Sequence, residues 1–191
     1  MAKSNTYKAG KHFLQVPGPT NLPDRILRAM DRPAIDHRGP QFAELSKSIL
    51  ERIKLIFKST DPVVIYPSAG TGAMEASLVN TLSEGDKILM FETGEFARQW
   101  YEAAERFKIK VDFIPGDWRT GADPKITKQK LLADKKHEIK AVLVTHNETS
   151  TGIKSRVEEI RKAIDEANHP ALFMVDTISS LGSYNYEHQK W

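Results

Sequence analysis

Ala141-Val142-Leu143-Val144-Thr145 runs directly into His146-Asn147-Glu148-Thr149-Ser150-Thr151-Gly152. The first five residues form a continuous apolar run, the pattern of a strand buried on both faces. Six hydrogen-bonding side chains follow at once, which is dense for a structural turn. The same alternation spreads outward from this stretch. Val63-Val64-Ile65-Tyr66, Lys87-Ile88-Leu89-Met90-Phe91, Lys110-Val111-Asp112-Phe113-Ile114 and Ala171-Leu172-Phe173-Met174-Val175-Asp176 read as strands. Helices are expected after Gly70-Thr71-Gly72, through Phe107, near Pro124–Leu132, and from the capping-box signal Ser155-x-x-Glu158 to the stop at Asn168-His169-Pro170. Apolar strands alternating with amphipathic helices predict an α/β fold, a mostly parallel sheet covered on both faces.

Toward the N-terminus the pattern changes. Residues 1–40 read as an irregular arm, broken by Pro17, Gly18, Pro19, Pro23, Pro33, Gly39 and Pro40, with one short helix near Asp24–Met30. From residue 41, Phe42, Leu45, Ile49, Ile53, Ile56 and Phe57 recur at spacings of three and four, one face of an amphipathic helix. The domain expectation is therefore an arm over 1–40 and a large domain over 41–191.

Composition narrows the function. The 191 residues carry 28 basic and 25 acidic side chains, interspersed, with a net charge of +3. No dense basic block with interleaved aromatics points to nucleic acid. The absence of cysteine excludes disulfides and Cys-based zinc sites. No apolar run is long enough to span a bilayer, and the first residues lack a secretory apolar core, so no membrane partner and a cytoplasmic setting are expected.

In parallel sheets ligands sit at the carboxyl ends of strands, so the polar clusters there are the candidates. Ser68-Ala69-Gly70-Thr71-Gly72 combines close backbone approach with free N–H groups at a helix start and suits a phosphate, although a plain glycine-rich turn capped by Thr71 reads equally well. Asp176 ends an apolar strand, where a buried carboxylate needs a partner; a protonated ring nitrogen or the N–H groups of the next turn would both serve. Hydroxyls of residues 145–151 can reach a ligand oxygen or merely line a solvated loop. His146 and Glu148 have no evident third ligand, so no metal site is assigned. Phe96 can stack on a planar ring, but it, Trp100 and Tyr101 also fit a core. Pro17-Gly18-Pro19-Thr20-Asn21 and Asp36-His37-Arg38-Gly39 are rigid turns with polar tips, and His37 reads as a structural hydrogen-bonder.

Taken in order, Gln15–Leu22, Asp36–Pro40, Gly70-Thr71-Gly72-Ala73-Met74-Glu75-Ala76, His146–Gly152 and Val175-Asp176 with Ser179-Ser180-Leu181-Gly182 resemble the class V aminotransferases, in particular the serine–glyoxylate and alanine–glyoxylate group. The resemblance spans nearly the whole chain. It implies the pyridoxal 5'-phosphate (PLP) dependent transferase fold type I large domain, a three-layer α/β/α arrangement. By resemblance, Asp176 pairs with the pyridine nitrogen. Ala69, Gly70 and Thr71 hold the phosphate, with Ala69 where the family often has serine. Phe96 stacks on the ring, and Thr149 lies near the phenolic oxygen. Pro19, Thr20 and Asn21 sit at the substrate mouth near a homodimer partner. The implied reaction moves an amino group from serine or alanine to glyoxylate.

One feature departs from the family pattern. Its Schiff-base lysine follows the aspartate on a later strand, yet only 15 residues follow Asp176, and their single lysine, Lys190, reads as a surface group. The expectation is an incomplete large domain, a truncated chain that is itself inactive. Alternatives are a non-catalytic remnant that binds PLP or a full-length subunit, and another class V reaction, a lyase or desulfurase.

Overall fold

The computed structural model describes Gly10 and residues 13–191. The chain divides into two compact units, Met1–Glu44 and Leu45–Trp191. In the first, α1 (Asp24–Met30) carries Asp24 in its first turn and Arg28 in its last, both favourable to the helix dipole. Helix α2 (Pro40–Phe57) starts here and runs on into the second unit, with proline at the position where a missing N–H costs nothing. Its apolar stripe forms as the spacing predicts, but Phe42, Leu45, Ile49 and Ile56 remain 40–54% exposed.

The second unit continues with α3 (Gly70–Thr81), β1 (Lys87–Phe91), α4 (Glu95–Arg106), β2 (Lys110–Ile114), α5 (Pro124–Ala133), β3 (Ile139–Thr145), β4 (Asn147–Glu148), β5 (Ile153–Lys154), α6 (Val157–Glu166) and β6 (Leu172–Asp176). Four strands pair in the order β2-β1-β3-β6, all parallel. The period of two along each strand sorts its side chains onto opposite faces. Ile88 and Met90 of β1 and Ala141 and Leu143 of β3 pack with Met74 and Leu78 of α3 and Trp100 and Ala104 of α4. Leu89, Phe91, Val142 and Val144 face the other way, onto Leu131 of α5 and Ile160 and Ile164 of α6. Two cores on one sheet make the expected three-layer α/β/α architecture. Trp100 is a core residue, and Tyr101 stacks on Phe113 at 4.5 Å between ring centroids.

Two expectations fail in detail, and a third reading holds only in part. Val63–Tyr66 forms no strand, and Val64 and Ile65 are 68% and 60% exposed. An apolar run becomes a strand only when a neighbour takes up its backbone hydrogen bonds, and no strand of the sheet pairs with this one. The capping box does not form: α6 is preceded by Arg156 with no side-chain cap, and Ser155 Oγ instead accepts the Ala122 N–H at 3.2 Å. Competition from a buried backbone donor outweighs a local cap that water can replace. Residues 146–152 are solvated only at their turn, where Ser150 and Gly152 are exposed. They enter a small antiparallel hairpin, β4 on β5, with His146 and Glu148 fully buried. No helix among the described residues is long and apolar enough to cross a membrane.

Candidate active site

Of the candidate residues, Gly70 and Asp176 line one cavity of the second unit, whereas Thr71 lines a separate one with Glu95 and Gln99. Asp176 closes β6 in register with Thr145 of β3, and its carbonyl accepts the His146 N–H at 2.9 Å. Its Oδ1 accepts the Ile178 N–H at 2.9 Å, so part of the carboxylate does cap the following turn. Its Oδ2 is buried and has no partner among the described residues. Burial raises the Asp176 pKa, the Ile178 N–H opposes that rise, and the charge of Glu148 adds to it. A carboxylate in this state gains from a cationic or N–H partner at Oδ2.

Gly70 opens α3 close by. A Cβ there would lie 3.2 Å from Ile178 Cδ1, a tight contact that the exposed Ile178 side chain would have to yield to, so the helix start lies close to the turn after Asp176. Gly70, Asp176 and Thr177 line a common cavity of about 650 Å³ whose other walls, among them Met74, Phe173 and Tyr186, are largely apolar. The residue before the helix is Ala69, not Thr71, and it supplies no side-chain cap. The first turn of a helix leaves N–H groups without intrahelical acceptors, so Gly70 and Thr71 present donors that no capping side chain covers. Ser68 folds back instead: a Cβ on Gly72 would meet its Oγ at 2.1 Å.

Phe96 is the second residue of α4, half-buried and packed against the core shared with α3. Thr149 Oγ1 hydrogen-bonds Ser179 Oγ, tying the hairpin to the turn that follows Asp176. Pro19, Thr20 and Asn21 lie in the first unit, where Asn21 Oδ1 accepts the Leu14 N–H at 2.8 Å. His37, also there, is 3.9 Å from Asp36. Lys190 projects to solvent and pairs with Glu187, which holds that carboxyl down at about 2.

Sequence reasoning missed the role of Glu148. Its two oxygens are taken up by the N–H groups of Phe96 (3.2 Å), Ala97 (3.1 Å) and Ser150 (3.2 Å) and by Ser150 Oγ (2.8 Å). The signal was present in Gly94, a residue without a side chain in front of a helix whose first turn therefore needs a cap from elsewhere. His146, buried between the rings of Tyr184 and Tyr186 at 6.0 Å each, has its pKa lowered by burial and then by Lys154, so it is a neutral packing group at neutral pH.

Residues 12–191 match the family model for class-V aminotransferases. The chain is 46% identical to the serine–glyoxylate aminotransferase of Methylorubrum extorquens, over 97% of this chain and 46% of that one. It is 43% identical to the L-aspartate–glyoxylate aminotransferase of Paracoccus denitrificans, over 92% and 45%. Among solved structures, a subgroup IV aspartate aminotransferase from Thermus thermophilus superposes with a TM-score of 0.85 at 26% identity, covering 94% of this chain and 49% of that one. The chain thus spans about half the length of the curated relatives it matches. With the parallel sheet, the strand-end aspartate and this match over nearly all its residues, the chain belongs to the class-V aminotransferase family, whose cofactor is pyridoxal 5'-phosphate.

Proposed function

We propose that the protein is a PLP-dependent aminotransferase that moves an amino group from serine or alanine to glyoxylate. The observation that carries this reading is Asp176 Oδ2, buried at the end of β6 without a partner. The residues present fit the cofactor. Asp176 would hold a proton on the ring nitrogen, since burial raises the pKa of its carboxyl and leaves Oδ2 without a partner. Ala69, Gly70 and Thr71 offer backbone N–H groups, and Thr71 a hydroxyl, to the phosphate at the uncapped start of α3. Phe96 would cover a ring face, and Thr149, hydrogen-bonded to Ser179, would donate to the phenolic oxygen. When bound, PLP supplies the electron sink for amino-group transfer. Glyoxylate as acceptor is supported by the shared wording of the relatives' names, whereas their donors differ: serine, aspartate and alanine. Pro19, Thr20 and Asn21 are proposed to meet the substrate in a homodimer, and the setting to be the cytoplasm.

Lys190 is not the lysine that carries the cofactor in this reading, because its ammonium is exposed and engaged by Glu187. The 191 residues alone are then proposed to form a cradle that binds PLP without turning it over. The test uses the protein at its natural length, incubated with PLP, glyoxylate and each of serine, alanine and aspartate. Glycine formation with a cofactor absorbance band is expected; a folded protein that shows neither sinks the reading. Turnover by the 191 residues alone would remove the second part.

A further inference from the structure

The start of α4 is closed by the hairpin rather than by its own N-cap. Glu148 Oε1 accepts the N–H of Phe96, and Oε2 that of Ala97. Ser150 Oγ donates to Glu148 Oε1 and accepts the Glu95 N–H at 3.0 Å. Three successive N–H groups of the first turn are thereby satisfied from one loop. Gly94 makes the approach possible, because a Cβ there would lie 2.4 Å from Glu148 Cγ and 2.6 Å from Ser150 Oγ. Glu148 is 0% exposed, and no lysine, arginine or histidine pairs with it among the described residues. The positive end of the α4 dipole and these four donors are what offset its burial. A buried carboxylate that loses these hydrogen bonds is left unsatisfied, so displacing it from the start of α4 is costly.

Two candidate cofactor residues flank that junction. Phe96 is bonded to Glu148 through its own N–H, and Thr149 is the next residue after Glu148. Thr149 in turn reaches Ser179, three residues beyond Asp176. We propose that Glu148 is a positioning residue for the cofactor cradle: its carboxylate locks Phe96 and Thr149 into one frame, so that the ring-face and phenolic-oxygen contacts are set before the cofactor arrives. This rests on the reading of the cradle as a PLP site. Glu148 touches no cofactor atom itself and acts through the backbone of α4.

The experiment uses the protein at its natural length with Glu148→Ala, Glu148→Gln and, as a control, Leu131→Ala, which opens a cavity in the core on the other face of the sheet. Three quantities are read: the PLP dissociation constant by equilibrium dialysis, the visible circular dichroism of bound PLP, and amide exchange at Phe96 and Ala97 in the cofactor-free protein. Glu148→Ala is expected to weaken PLP about tenfold or more, as loss of hydrogen bonds to a charged group implies, to reduce the visible dichroism, and to expose both amides. Glu148→Gln keeps one acceptor oxygen and is expected to restore protection at Phe96, lose it at Ala97 and recover part of the affinity. Leu131→Ala, with a comparable fall in melting temperature, is expected to bind PLP within about twofold of wild type. The proposal is overturned by a Glu148→Ala protein that binds PLP like wild type, or by a control that weakens binding as much. If Glu148→Ala does not fold, Glu148→Gln decides: wild-type exchange at Ala97 together with wild-type affinity overturns it. Unchanged exchange at Phe96 and Ala97 removes the anchor itself, whatever the cofactor result. Failure of the wild-type protein to bind PLP instead removes the reading of the site and leaves the exchange result standing.

Discussion

Of the helices of the second unit that begin without a side-chain cap of their own, two flank the candidate site, α3 behind Ala69 and α4 behind Gly94. The protein treats them differently. At α4 it brings in a buried carboxylate, Glu148, and a hydroxyl, Ser150, which close the first turn from a distance of more than 50 residues in sequence. At α3 no capping side chain arrives, and the helix start stays beside Asp176 and its unpartnered oxygen. A helix start closed by the protein's own anion is scaffold. The open start of α3, beside Asp176, is the proposed seat of a phosphate.

Three experiments break or sharpen that contrast. The largest effect is expected at Gly94. Gly94→Ala pushes a methyl into Glu148 and Ser150, so the closed start must shift; overpacking of this kind costs about 2 kcal/mol, read as a lower urea midpoint at unchanged slope. Wild-type stability in that variant would mean the junction is loose. Next comes Asp176. Because its folded pKa is raised, protonation favours the folded state, so its contribution to stability is present at pH below the ordinary aspartate value and is lost as pH rises through the raised folded value. Asp176→Asn removes that dependence. In the absence of cofactor it is expected to match wild type at low pH and to gain on it as pH rises through that window. A constant difference across pH would deny the raised value. The smallest effect is expected at the open start. Thr71 caps nothing, so Thr71→Ala should change stability by less than about 0.5 kcal/mol while weakening PLP by roughly fivefold, the loss of one hydrogen bond. A large stability loss there would show that α3 is closed after all.

Much of the second unit was legible because its elements are long and strongly periodic. The apolar runs at 87–91, 110–114, 141–145 and 171–176 predict four strands, and four parallel strands form there, shifted by two residues or fewer at the ends. The three-four spacing in α2 reads directly as helix. Val63–Tyr66 shows the limit: its composition is as strand-like as that of β6, but strand formation depends on a partner edge, which composition does not encode. Ser155 shows another, since a hydroxyl with a local and a distant donor available is claimed by the buried one, the Ala122 N–H. Of the cofactor candidates, Gly70 and Asp176 are brought to one cavity, Phe96 and Thr149 to the two flanks of Glu148.

By itself, the sequence determined the class of fold and the family, because periodicity and ordered local motifs are properties of neighbouring residues. The tertiary structure alone decided the strand order β2-β1-β3-β6, the burial that leaves Asp176 Oδ2 in need of a partner, and the use of Glu148 as the cap of a helix 52 residues earlier in the chain. Each of these depends on desolvation and on hydrogen bonds between distant segments, and neither exists until the sheet brings those segments together.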